Sequence, residues 1–383
     1  MSNDETSRGG RATKGKSILV IVGGISCLLL YFLIDHYTGP SPAMKDFMSA
    51  DTHRMEGKYD LAIAEFTKQI DKDHFSFAYN GRGESYRIKG DLDRAIADFD
   101  EAIRRSHDSF EPYRNRCRAF QAKGEIDRAI ADCEEAIRLK PDHWDPHELI
   151  AQMLFARGDF DRAADKFGDI IRLQPTVAES YFYRGQIALF YQNRPAEAAE
   201  DLAKGVAGAL SYRRIGGTMV AQAESGSVKD LMAYQHSFIP DGIYMIIWNH
   251  IARARAGQDD SKELAEHAEQ FTLPIWEKLV FEKFENVTDE AQQKSLASWP
   301  GVIFGLFLGK TTPEVVRTAA EAQTDPQVRL RHVCDADFYL AEYYFEKGAS
   351  DEARKLLQAA ADRCPTSARE GAFAKAELKR LGL

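Results

Sequence analysis

The stretches GKYDLAIAEF, GDLDRAIADF, GEIDRAIADC and GDFDRAADKF begin at Gly57, Gly90, Gly124 and Gly158, and they are four copies of one phrase. Their glycines lie 33, 34 and 34 residues apart. A period of this length indicates units that bury their apolar faces only by stacking on their neighbours. The spacing therefore predicts a chain that grows as a row of similar units rather than around one globular core.

Each phrase indicates the turn and second helix of a helix-turn-helix unit, and a first helix is expected upstream at a constant offset. If the glycine is position 15 of a 34-residue frame, position 20 is always small and position 24 is mostly aromatic. Small residues let two helices approach closely, and the ring fills the groove beside them. These positions hold Ala62, Ala95, Ala129 and Ala163, then Phe66, Phe99, Cys133 and Phe167. The pattern resembles the tetratricopeptide (TPR) repeat, which implies an all-α solenoid.

The repeats are interrupted and then resumed. A fifth copy begins at Ala178, with Ala198 and Leu202 in register after a one-residue insertion, and a sixth spans Cys334 to Pro365. We divide the chain into a basic tail (1–16), an apolar segment (17–34), a linker (35–42), five repeats (43–206), a connector (207–240), a degenerate hairpin with additional helices (241–333), and a sixth repeat with a capping helix (334–383).

Frame positions 7 and 23 face each other across each helix pair. They hold Arg82 with Asp98, Arg116 with Asp132, and Arg184 with Asp201, whereas the fourth unit has Ile150 with Lys166. Because both partners change together, we predict an ion pair within the repeat. Partly exposed, such a pair contributes about 0.2 to 1 kcal/mol.

Residues 17–34, SILVIVGGISCLLLYFLI, form an uncharged apolar run. As a helix it is about 27 Å long, against a hydrocarbon core of about 30 Å, so it can span a membrane. Four basic residues precede it, which keeps the N-terminus cytoplasmic and places the repeats on the other side. One alternative is cleavage near Ser41 and Ala43 as a signal peptide. Lipidation of Cys27 is disfavoured, because seven apolar residues follow it.

The cysteines are few and regularly placed. Cys334 and Cys364 begin and end the helix pair of the sixth repeat, so antiparallel packing brings them together and a disulfide is reasonable in an oxidising compartment. Two half-buried thiols are the alternative. Cys117 and Cys133 hold packing positions 8 and 24 of the third unit, where core thiols are expected.

A narrower resemblance lies in IARARAGQDD, WPGVIFGLFLGK, CDADFYLAEYYFEKGASDEARKLLQAAADRCP and AKAELKRLG. Together with the repeats, these phrases resemble NlpI-like TPR lipoproteins of Gram-negative envelopes. The chain departs from them in lacking a lipobox and in a stretch, 273–298, that looks inserted. The resemblance implies a bacterial source, possible dimerisation, and an adaptor role toward envelope enzymes such as peptidoglycan hydrolases or a protease. The apolar segment and the basic residues before it are the basis on which we expect a single inner-membrane span with a periplasmic TPR domain.

First-helix positions 2, 5, 9 and 12 line the concave face of stacked hairpins. The candidate partner-binding residues are Asn80, Glu84, Arg87, Arg114, Arg118, Gln121, Gln152, Phe155, Phe182, Gln186 and Leu189. Polar and basic character gives way to apolar character along this series. It predicts a partner segment with an acidic end and a hydrophobic end. The alternative for Phe155 and Phe182 is packing against the helices that follow.

The sequence gives little sign of chemistry. A net charge of −9 disfavours nucleic acid. His143 and His147 have a helical metal-ligand spacing, but Pro146 sits at the start of that helix and no third ligand is set beside them. No phosphate-binding loop or nucleophile motif occurs. We therefore expect a protein-interaction scaffold without metal, cofactor or catalysis; the alternatives are a self-associating assembly factor and an enzyme with an unrecognised site in 207–333.

Overall fold

The computed structural model describes residues 42–73, 76–220, 243–271, 299–366 and 368–383. Within these residues all regular structure is helical, as expected. The apolar segment 17–34, most of the connector and the insert 273–298 lie outside them. No helix of the described part is long and apolar enough to cross a membrane. The chain divides into two compact units, with the boundary between Leu139 and Lys140.

The first unit contains three helical hairpins, one for each of the first three repeats. Its helices are α1 (Pro42–Met55), α2 (Tyr59–Asp73), α3 (Ser76–Ile88), α4 (Leu92–Arg105), α5 (Phe110–Lys123) and α6 (Ile126–Leu139). The repeat glycine ends each first helix; Gly90, for example, has a φ of 83°. Because an L side chain is strained at such a φ, glycine is the residue that makes this turn at least cost.

The second unit begins with two further hairpins, and a larger helical assembly follows. Its helices are α7 (Asp145–Arg157), α8 (Phe160–Leu173), α9 (Ala178–Gln186), α10 (Pro195–Val220), α11 (243–255), α12 (Ser261–Phe271), α13 (Gly301–Phe307), α14 (Pro313–Glu321), α15 (Pro326–Glu346), α16 (Ser350–Arg363) and α17 (Arg369–Arg380). Helix α10 runs on to Val220, so the first part of the expected connector is helical.

The insertion in the fifth repeat appears as a change of helix type. The last turn of its first helix, Ile187–Tyr191, is a π-helix, the form a helix takes when it accommodates one extra residue. Asn193 then has a φ of 52° where the other repeats have glycine. Asparagine tolerates this conformation better than most residues, so the turn is kept without glycine.

Helix α11 is the centre of the second unit. All its residues from 243 to 252 are buried and most of them are apolar, as expected for a helix in a core. The ring of Trp248 stacks on Phe182 at a centroid distance of 4.7 Å, and its Nε1 donates to Tyr339 Oη at 2.7 Å. Phe190 and Phe373 stack beside them at 4.2 Å.

The predicted ion pairs are confirmed. Arg82 donates to both carboxylate oxygens of Asp98 at 2.8 and 2.7 Å, and Arg116 reaches both oxygens of Asp132 at 2.7 Å. Arg184 holds Asp201 in the same way at 2.6 and 2.7 Å. In each pair the carboxylate is buried, which fixes the two helices of one repeat in register.

Both pairs of repeat cysteines form disulfides. Cys334 and Cys364 are bonded with a Cα–Cα distance of 5.0 Å, as predicted for the sixth repeat. The expectation of core thiols in the third repeat is wrong, because Cys117 is bonded to Cys133 with a Cα–Cα distance of 5.5 Å. The physical reason is that frame positions 8 and 24 face each other. In the second repeat a Cβ added to Gly83 would lie 2.8 Å from the Phe99 ring.

Candidate partner-binding surface

Helices α3 and α5 bring together six of the residues predicted to bind a partner. We call this set the first-helix surface, and it consists of Asn80, Glu84, Arg87, Arg114, Arg118 and Gln121. All six are partly exposed. They lie within the first unit and are available to solvent, which is the minimum requirement for a binding surface.

Hydrogen bonds hold several of these side chains in place. On α3, Arg87 donates to both oxygens of Glu84 at 2.7 and 2.8 Å, and this bonding raises the pKa of Arg87. Between the helices, the buried Asn115 donates from Nδ2 to Asn80 Oδ1 at 3.0 Å. Arg114 Nη2 in turn donates to Asn115 Oδ1 at 3.1 Å. Four of the six side chains, those of Asn80, Glu84, Arg87 and Arg114, therefore form hydrogen bonds within this unit.

An apolar side chain beside this surface was missed in the sequence. Phe77 occupies position 2 of the second repeat and is 59% exposed. Its ring lies 6.3 Å from that of Phe47, which occupies position 5 of the first repeat. The same frame positions that select Asn80 also select these two residues. The signal was present, and it places an apolar region at the N-terminal end of the repeats.

Three of the five candidates in the second unit are core residues, which corrects the prediction. Phe182 is 3% exposed, Gln186 is fully buried and Leu189 is 1% exposed. Phe182 is covered by Trp248 of α11, a helix that the repeat frame does not anticipate. These three side chains therefore cannot line a partner-binding face of this unit.

The other two candidates of the second unit differ from each other. Gln152 is exposed and donates to Glu148 Oε1 at 3.2 Å. Phe155 is half-buried, with its ring edge-on to Phe160 and Tyr183 at 5.5 and 5.6 Å. Packing against other helices, the alternative considered for these two phenylalanines, thus accounts for Phe182 fully and for Phe155 in part. The apolar end that the sequence predicted here is mostly interior.

His147, one of the two histidines considered as metal ligands, lies in the first turn of α7. His147 is buried, with Nδ1 3.3 Å from an oxygen of Asp169. Burial lowers its pKa, so the ring is neutral near pH 7. In the described part of the chain no group of three or more His, Cys, Asp or Glu side chains could hold a metal ion.

Comparison with known proteins agrees with this geometry. The tetratricopeptide repeat family profile matches residues 47–109, 115–178, 150–213 and 327–368, which together are more than half of the chain. The matches cover both the run of repeats and the isolated copy near the C-terminus. No curated protein sequence matches the chain.

Several solved structures are similar. A MamA protein is 22% identical, with 42% of this chain and 93% of that chain covered and a TM-score of 0.39. YrrB, a TPR protein with an unusual peptide-binding site, is 18% identical, with coverage of 46% and 91% and a TM-score of 0.38. A thermophilic TPR protein of Thermus thermophilus is 17% identical, with coverage of 43% and 91% and a TM-score of 0.35.

Because these TM-scores are below 0.5, the assignment rests on the family profile, the helix-turn-helix hairpins and the glycine turns. The period, the packing positions and the profile agree on the same residues. The chain belongs to the tetratricopeptide repeat family.

Proposed function

We propose that this protein is a membrane-anchored adaptor that binds other proteins through the first-helix surface of α3 and α5. The observation that carries the proposal is the ordered polar network on that surface, in which Asn80 and Arg114 are both held by Asn115. Side chains that are already fixed lose less conformational entropy when a partner binds. Stacked repeats commonly use such extended faces for binding.

The chemistry of the surface suggests the kind of segment it would hold. Arg114 and Arg118 offer guanidinium groups that suit carboxylates. The exposed ring of Phe77 offers an apolar contact near the beginning of the repeats. The partner would therefore carry an acidic group and a hydrophobic anchor, with the anchor toward α1 and α3. This order along the repeats is the reverse of the one expected from Phe182 and Leu189.

The membrane part of the proposal rests on the sequence. The apolar run 17–34 and the basic residues before it favour a single inner-membrane span with a cytoplasmic N-terminus. Two disulfides in the repeats suit an oxidising compartment such as the periplasm. The resemblance to NlpI-like proteins points the same way, toward envelope enzymes as partners.

Co-purification of the full-length protein from its own cells tests the adaptor role. We expect Arg114→Glu/Arg118→Glu to lose the proteins that the wild type retains after crosslinking. The matched control is Arg104→Glu/Arg138→Glu, which makes the same charge change at exposed positions of α4 and α6. Equal recovery of partners by both variants would contradict the proposed surface.

The same variants separate an adaptor from a self-associating assembly factor. An adaptor variant loses its partners while its oligomeric state, measured by light scattering in detergent, stays unchanged. If Arg114→Glu/Arg118→Glu instead changes the oligomer, the surface joins copies of this chain.

Digestion of spheroplasts by added protease tests the topology, because periplasmic repeats would be cut and cytoplasmic repeats would not.

A further inference from the structure

In the ion pairs of the second and third repeats the arginine makes a third contact, which the ion pair of the fifth repeat lacks. In the second repeat Arg82 Nη1 donates to Thr67 Oγ1 at 3.1 Å, and in the third repeat Arg116 Nη1 donates to Asp100 Oδ1 at 2.5 Å. Thr67 and Asp100 both occupy frame position 25 of the preceding repeat. Each arginine thus joins its own repeat to the one before it.

Position 25 before Arg184 is Gly168, which offers no side-chain acceptor. A Cβ at Gly168 would lie 3.3 Å from Arg184 Nη1, so the guanidinium sits directly over the glycine. The Arg184 side chain is 33% exposed, against 18% for Arg82 and 19% for Arg116. Within the described chain, Nε and Nη2 of Arg184 bind Asp201 while Nη1 has no side-chain acceptor.

Arg184 and Gly168 lie on the wall of a groove between α8 and α10. The groove has a volume of about 860 Å³, within the range of roughly 300 to 1,000 Å³ that is usual for binding clefts. Six carboxylates and four basic side chains line it, so its balance is acidic. A purely anionic ligand would be repelled there.

Several of the lining charges are already paired. Arg172 is paired with Asp169, and Arg194 lies 3.5 Å from Glu197. By contrast, Asp165 and Glu200 are exposed and form no ion pair within the described chain. Cationic groups of a ligand would therefore meet two carboxylates that do not first have to leave another partner.

We propose that the groove between α8 and α10 binds an extended, lysine- or arginine-containing segment of a partner protein. A backbone carbonyl of that segment accepts a hydrogen bond from Arg184 Nη1, as Thr67 Oγ1 does from Arg82. Its cationic side chains pair with Asp165 and Glu200. This groove is in the second unit and is a different site from the first-helix surface.

Fluorescence anisotropy on the full-length protein in detergent tests this site. The probe is a fluorescein-labelled peptide of alternating lysine and serine, and its glutamate-serine counterpart is the charge control. We expect the wild type to bind the lysine peptide and not the glutamate peptide. Asp165→Lys/Glu200→Lys should weaken binding about tenfold or more, because it places like charges opposite the peptide.

A second variant tests the contact with Arg184. Gly168→Thr installs the acceptor seen at Thr67, so it should occupy Nη1 and weaken the lysine peptide severalfold without a change of net charge. The matched charge control is Asp351→Lys/Glu352→Lys, which reverses two exposed carboxylates of α16 outside the groove and should bind like the wild type. If Asp165→Lys/Glu200→Lys fails to fold, Gly168→Thr decides the question.

Three results would overturn the proposal: no binding by the wild type, equal binding of both peptides, or equal weakening by the α16 control. The outcome is independent of the first-helix surface. Arg114→Glu/Arg118→Glu should bind the lysine peptide at least as well as the wild type.

Discussion

At the scale of single residues, the repeat ion pair sets the register between two helices. In the second repeat the Arg82 and Asp98 side chains are 18% and 8% exposed. Removing one partner leaves the other charge buried without compensation, whereas removing both leaves only a packing defect. We therefore expect the ion pair to affect the free energy of unfolding mainly when only one of its two partners is removed.

We expect Arg82→Ala to lower the free energy of unfolding by about 1 to 3 kcal/mol. Arg82→Ala/Asp98→Ala should cost less than the sum of the two single variants, by about 1 kcal/mol. Urea unfolding followed by circular dichroism measures both, and the second repeat is suitable because it contains no disulfide. Strict additivity would mean that the two side chains do not interact.

His250 is a second residue whose charge is fixed by the fold. Burial would lower its pKa, but hydrogen bonds with Asp260 at 2.7 Å and Glu346 at 3.2 Å raise it to about 9. The folded state therefore holds the proton more tightly than an unfolded histidine, whose pKa is about 6.5. The resulting stability is complete below pH 6.5 or so and is lost as the pH rises through about 9.

His250→Gln should remove a decline of about 2 to 3 kcal/mol in unfolding free energy between pH 6.5 and 9. Tryptophan fluorescence during urea unfolding reports this unit, because all four tryptophans follow Leu139. The control His107→Gln changes an exposed histidine of the first unit and should keep the wild-type slope. An unchanged slope in His250→Gln would show that other groups cause the decline.

At the level of helix pairs, frame positions 8 and 24 lie opposite each other. This arrangement explains both the predicted packing and the disulfide that was not predicted. The small residue Gly83 lies under Phe99, and Gly185 lies under Leu202 in the fifth repeat. The same facing brings Cys117 to Cys133. The disulfide was therefore readable from the frame, but the pair was interpreted as two separate packing residues.

Alkylation under denaturing, non-reducing conditions should label one of the five cysteines, Cys27, because the other four are bonded. Mass spectrometry counts the labels, and three labels would mean that Cys117 and Cys133 are thiols. Cys117→Ala/Cys133→Ala should lower the free energy of unfolding by about 2 to 4 kcal/mol, as expected for a short closed loop.

Contacts between elements that are far apart in the chain were beyond the repeat pattern. The repeat period predicts α1 to α9, the first part of α10 and the ion pairs, because these contacts join residues in one repeat or in neighbouring repeats. It carries no information on α11, which covers Phe182 from more than 60 residues away in the chain. Gln186 and Leu189 were assigned to a surface for the same reason.

At the level of the whole chain, the helix α11, which lies in the segment that interrupts the repeats, connects other helices of the second unit. Helix α11 supplies Arg255, which is paired with Glu342 of α15 and Glu377 of α17 at 2.7 Å each. It also supplies Tyr244, which donates to Asp335 at 3.1 Å. The inserted helix thus joins the sixth repeat to the fifth. As a consequence, the first helix of the fifth repeat is closed to partners at Phe182, Gln186 and Leu189.

We propose that α3 and α5 carry the surface that meets a partner protein. The most direct test of this proposal is a photocrosslinking amino acid placed at Gln121 of full-length protein in intact cells, with the same amino acid at Arg138 of α6 as the control. We expect adducts with other proteins at Gln121 and none at Arg138. Adducts in equal yield at both positions, or adducts only with a second copy of this chain, would contradict it.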